Sequence, residues 1–178
     1  HSPRLTRLLS FFTTSSHNRR RQLLRQLSTQ EDMTMEYKFN DGGREAAGYK
    51  GSAGDCVCRA KSIAAGLDYA EVYQALAEGN AKERKGNRKR SARNGIHTTR
   101  KWFKDYMVSL GFIWVPTMQI GSGCKVHLKA DELPAGRLVC NVSRHMCAVI
   151  DGVLHDTHDC SRDGTRCVYG YWLYSKQA

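Results

Sequence analysis

No apolar run in this chain of 178 residues approaches the ~20 that a membrane-spanning helix needs, so no membrane partner is expected. Acid is missing from residues 1–30, which hold many arginines, and the first carboxylate is Glu31. The stretch "PRLTRLLSFFTTSSHNRRRQLLRQLSTQ" thus has the Arg-, Ser- and Leu-rich make-up of a mitochondrial or plastid transit peptide. Its alternative is a disordered extension ahead of Met33 or Met35. Residues 1–35 are therefore set apart as a leader, and one domain is expected over 36–176. There is no internal repeat.

The cysteines contain no C-x2-C pair. Seven of them stand at 56, 58, 124, 140, 147, 160 and 167, an odd number that leaves at least one thiol free or shared with another chain. Several sit inside apolar runs such as "RLVCNV" and "HMCAVI", which predicts reduced thiols in a reducing compartment, the cytoplasm unless the leader is genuine. The C-x-C and H-x-C spacings are not those of common structural zinc modules, so no metal and no cofactor are expected. A zinc-stabilised domain drawing on Cys56, Cys58, His145, Cys147, His155, His158, Cys160 and Cys167 is the weaker reading.

What is present begins with charge. Lys and Arg number 28 against 17 Asp and Glu, a formal net charge of +11. A second basic block, "AKERKGNRKRSARNG" (81–95), lacks apolar periodicity and interleaved aromatics. It reads as an exposed loop over 80–95, with Arg88, Lys89 and Arg90 as its contact residues for weak nucleic-acid or acidic-partner binding.

Helix signals fill the first half. "GDCVCRAKSIAAG" offers Asp55 as N-cap, Ala60, Ile63, Ala64 and Leu67 as an apolar stripe, and Gly66 as terminator. "LDYAEVYQALAEG" carries a capping box, Asp68 with Glu71, and should close at Gly79. "TTRKWFKDYMVSLG" predicts a third helix capped by Thr98 or Thr99 and ended by Gly111. Beyond Gly111 the pattern turns to strands: 112–116, 136–142, 145–150, 153–159 and 166–174. Asp151-Gly152 between apolar runs marks a two-residue hairpin. Helices followed by antiparallel strands predict an α+β fold, with the helices packed on a C-terminal sheet.

The hairpin fixes a register. Pairing Ile150 with Val153 sets His145 opposite His158, one place from Asp159, with Asp156 diagonally across near Cys147. A histidine at a strand start thereby gains a carboxylate that accepts one ring N–H and leaves the other nitrogen for a nucleophile. Cys56, at the first position of a helix, lies where a thiol ionises most easily. Cys58, roughly 200° round the helix from it, is expected in the core. His97 and His127 are expected to be ordinary polar residues.

The order of a cysteine at a helix start, a histidine opening a later strand and an acid at the end of the next resembles the papain-like peptidases. "VCNVSRHMCAVIDGVLHDTHDCS" looks like the His–Asp hairpin of the bacteriocin-processing, C39-like peptidases. "FNDGGREAAGYKG…GDCVCRA", "GIHTTRKWFKDYM", "GSGCKVHL" and "GTRCVYGYW" are similar to a family of small bacterial and phage proteins, over roughly residues 36 to 174. The resemblance implies a papain-like fold with Cys56 as nucleophile, His145 as base and Asp159 as orienting residue, Asp156 being the alternative. It implies a cysteine hydrolase, peptidase or amidase, acting on a peptide or protein through a thioester. The chain departs in lacking a glutamine before the cysteine. Lys50, Ser52 and the more remote Asn40 are the oxyanion candidates in its place. The competing function is a non-catalytic module that binds through the basic loop. Oligomeric state is not legible.

Overall fold

The structure, a computed structural model, describes residues 34–83 and 90–175. The leader up to residue 33, and Arg88 and Lys89 of the basic block, lie outside the described residues.

Among the described residues, three helices pack against a six-stranded mixed sheet. Strand β1 (Glu36–Phe39) is followed by helices α1 (Cys56–Ala65), α2 (Tyr69–Ala81) and α3 (Lys101–Ser109). Strands β2 (Phe112–Pro116), β3 (Arg137–Val142), β4 (His145–Ile150), β5 (Val153–Asp156) and β6 (Val168–Tyr174) follow. The order across the sheet is β1-β5-β4-β3-β6-β2, with β1 parallel to β5 and the other pairings antiparallel. The α+β class expected from the sequence is present.

The central strands are buried on both faces, which explains why "RLVCNV" and "HMCAVI" are near-continuous apolar runs rather than alternating ones. One face, with Val139, Met146, Ala148 and Trp172, packs against Val57, Ala60 and Ile63 of α1, Leu76 of α2 and Phe103 of α3. The other, with Leu138, Cys140, Cys147, Val149 and Leu154, is covered by Leu128, Leu133 and Cys160 from the connecting segments. Each fully buried Leu or Val contributes about 1.5–3 kcal/mol.

Helix α1 is walled in: Val57 through Ala64 are all buried, and Gly66 closes it in the left-handed conformation at φ 66°. Helix α2 runs past the expected stop at Gly79. There the missing side chain admits Trp102, whose ring would lie 2.4 Å from a Cβ. Asp68 caps that helix as expected, accepting from the N–H groups of Ala70 and Glu71. Helix α3 begins later than expected, after Arg100, so neither Thr98 nor Thr99 caps it.

Two departures bear on the site. The return strand of the Asp151-Gly152 hairpin pairs Ile150 with Val153 as expected but ends at Asp156, three residues early. Asp156 turns the chain by accepting the Thr157 N–H on its own carboxylate at 2.7 Å. The unexpected β1 then lies along β5, Phe39 beside Asp156, and the Asn40 N–H donates to the Asp156 carbonyl at 2.9 Å.

The cysteines are not all reduced. Cys124 and Cys167 form a disulfide with Cα atoms 5.8 Å apart, against the expectation of seven free thiols. The bridge pairing His127 with Cys167 carries the two segments together. Cys56, Cys58, Cys140, Cys147 and Cys160 are free. No helix among the described residues is long and apolar enough to cross a membrane.

Candidate active site

Cys56 opens α1, and the N-terminal end of that helix abuts the start of β4. Its thiol lies where the His145 ring and the Met146 backbone N–H both favour the thiolate. Burial raises the thiol's pKa, but these interactions and the nearby His145 and Arg59 charges outweigh it and lower the pKa below an ordinary cysteine's. Cys56 is half-buried and lines a cleft.

His145 is held from the other side. Its Nε2 stands 2.5 Å from Oδ2 of Asp156, a bond that leaves Nδ1 uncommitted to the carboxylate. Burial disfavours the imidazolium, yet the bonds to Asp156, Cys160 and Cys56 raise its pKa to about 11. The Asp156 carboxyl is pushed down: burial opposes its charge, but the bond to His145 and the His145 charge prevail. The arrangement therefore favours thiolate, imidazolium and carboxylate in line.

Asp159 is not the orienting residue. Its Oδ1 accepts the Ser161 N–H at 2.8 Å, so it caps a turn, while Asp156 takes the place assigned to it. Strand alternation supplies the reason. Residues directly opposite in an antiparallel pair share a face, so the register that aligns 147 with 156 puts Asp156 on the face of His145. Position 159 would fall on the other face, and the ladder in any case stops before it.

Asp55 is also reassigned. It makes no side-chain cap on α1. Buried at 1% exposure, it accepts from Arg44 Nε at 2.8 Å and also binds Arg59 and the Tyr69 hydroxyl. With that carboxylate committed elsewhere, it does not compete for the N–H groups of the first turn, which are what an anion at a helix start binds. Arg59 extends the network, its Nη2 lying 3.9 Å from Asp156 Oδ1. Sequence reading missed Arg59, although its spacing of four from Asp55 is a helical ion-pair signal.

Cys58 lies in the core with no exposure, and burial pushes its thiol up to about 12. Cys160, which the sequence offers only as a metal ligand, is buried, and the neighbouring Cys147 thiol, with the His145 ring beside it, lowers its pKa to about 6 against the cost of burial. His127 pairs with Glu132 at 3.0 Å, remote from the chemistry, as an ordinary polar residue. Asn40 is taken up by the Gly42 N–H and His155.

In front of Cys56 and His145 lies a cleft of about 1470 Å³. One wall is the loop Lys50-Gly51-Ser52-Ala53-Gly54, which includes the oxyanion candidates Lys50 and Ser52, and Arg90 and Arg144 also line the cleft. Arg90 is exposed, with its carbonyl accepting from Asn80 at 2.7 Å.

No protein-family model, curated protein or solved structure matches this chain.

Proposed function

We propose that this protein is a cysteine-dependent hydrolase, a peptidase or amidase of papain-like architecture, using Cys56, His145 and Asp156. The reading rests chiefly on one observation: a half-buried thiol at a helix start bears on an imidazole whose Nε2 is held 2.5 Å from a buried carboxylate. That juxtaposition supplies nucleophile, acid–base and orienting group together.

In the reaction, the Cys56 thiolate adds to the substrate carbonyl and an S–C bond forms. Charge developing on the oxygen is met by N–H groups at the start of α1, with Lys50 or Ser52 as side-chain donor. The C–N bond then breaks as the His145 imidazolium gives its proton to the departing amine. Water attacks the thioester, handing a proton to His145. The C–S bond breaks, returning thiolate and imidazolium and releasing the acid. Asp156 keeps the ring in the tautomer that presents Nδ1 to sulfur.

The test is alkylation with iodoacetamide at pH 6, mapped by mass spectrometry. An ordinary thiol of pKa about 8.5 is under one per cent ionised there. Burial raises Cys58, Cys140 and Cys147 further, while Cys160, lowered to about 6, is shielded at 2% exposure, so Cys56 should outrun every other cysteine. His145→Ala should erase that lead. Equal, slow labelling of all the free cysteines overturns the proposal.

A further inference from the structure

His158 is the donor the hydrolase does not use. It is exposed, just past the end of β5, with its ring 5.2 Å from that of His145, centroid to centroid, at 47°. One ligand atom from each of His145, Asp156 and His158 lies within 4.8 Å of the other two. Tetrahedral ligands about 2.0–2.1 Å from a zinc ion stand about 3.3 Å apart, so side-chain rotations of an ångström or so bring the three donors into place. Two of them are already fixed, with side-chain exposures of 14% for His145 and 3% for Asp156, and the exposed His158 gives a route in.

We propose that His145, Asp156 and His158 form an inhibitory site for a borderline divalent transition metal, Zn²⁺ foremost. Two imidazoles and a carboxylate with an open fourth position are a zinc-type donor set. They are too few oxygens for Ca²⁺ or Mg²⁺. Arg59 near Asp156 does not forbid a cation there, because Asp55 holds that guanidinium.

Inhibition follows from the lone pair on Nε2. It carries either the proton shared with Asp156 or the metal, never both. With a metal on Nε2, the neutral ring keeps its hydrogen on Nδ1, its remaining nitrogen, and cannot accept the thiol's proton. Metal occupancy and thiol activation thus exclude each other. The metal site goes beyond the hydrolase reading, and its binding does not require that reading.

The experiment measures Zn²⁺ binding by calorimetry and Co²⁺ binding by visible absorption. In parallel it follows the rate of Cys56 alkylation with and without Zn²⁺, or with Mg²⁺ as control. Near-stoichiometric micromolar binding is expected, with alkylation slowed tenfold or more by Zn²⁺ and unaltered by Mg²⁺. His158→Ala, at an exposed position, should keep the metal-free alkylation rate while losing about 10–100-fold in metal affinity and with it the inhibition. Zinc inhibition that survives His158→Ala places the metal on the thiol and overturns the proposal, as does absence of micromolar binding, or binding without inhibition. Failure of the hydrolase reading has a different signature: Cys56 alkylates slowly without metal, while the calorimetric and Co²⁺ signals stay readable.

Discussion

At the scale of single residues, the outcome turns on which carboxylate orients His145. Asp156 and Asp159 are three apart, and only the period of two separates them: one shares a face with His145, the other does not. The prediction is a divergence between two isosteric variants. Asp156→Asn should slow Cys56 alkylation at pH 6 on the order of tenfold to a hundredfold, as the thiol reverts toward an ordinary pKa of about 8.5. Asp159→Asn should leave it within about twofold, since surface changes away from the site carry little. The pH profile gives the same distinction with its sign. The thiol's pKa is lowered and that of His145 raised to about 11, so the wild-type rate should show no step near pH 8.5 and should fall only on acidification. In Asp156→Asn the step near 8.5 should return. The alternation was available in the sequence, and the register drawn from Asp151-Gly152 was sound. What it could not supply was the end of the strand, set by Asp156 folding back on Thr157 and by β1 docking from over a hundred residues away.

At the scale of elements, helices were the legible part, because caps and apolar spacing are local. Strand β1 was not, since its four residues are all exposed and pair with a distant segment. Such a short, charged edge strand carries hardly any pattern. Helix α1 shows a subtler failure. Its sequence reads as amphipathic, but the sheet, α2 and the 91–96 turn enclose it, and Lys61 is buried with the rest. Its Nζ has no hydrogen-bond partner among the described residues and lies 3.7 Å from the Tyr106 ring centroid and 5.0 Å from that of Phe103. Burial holds its pKa well below the ordinary lysine value, so the folded chain binds this proton less tightly than the unfolded one. The penalty is absent above the unfolded lysine pKa of about 10.4 and grows as pH falls. Lys61→Met, which fills the same slot without a polar atom, should therefore stabilise the protein by about 1–3 kcal/mol at pH 7, the usual penalty of an unsatisfied buried donor. Urea midpoints should differ less at pH 10 than at pH 6. A destabilised variant would mean that the contact with Tyr106 outweighs burial.

For the molecule as a whole, the two faces of the sheet do different work. The helical face carries Cys56 and, through Arg59, the contact to Asp156. The other is closed by the 124–135 and 160–168 segments, which the Cys124–Cys167 disulfide joins. Counting cysteines could not find that bond, because an odd number with no recurrent spacing leaves every pairing open. Topology decides it: residues 43 apart meet because the bridge between His127 and Cys167 folds one segment along the other. On the chain-entropy account, closing a loop of that length stabilises by about 4 kcal/mol, and measured disulfides mostly give 2–4. Replacing both residues, Cys124→Ser with Cys167→Ser, should lower unfolding free energy by about 2–4 kcal/mol in urea. The alkylation rate of Cys56 under native conditions should hold, because the segments that lose their tie cover the face opposite α1. A parallel loss of both would show that the two faces are coupled through the thin β3–β4 core. Cys140, Cys147 and Cys160 would then be the path, running from the disulfide side to the ring of His145.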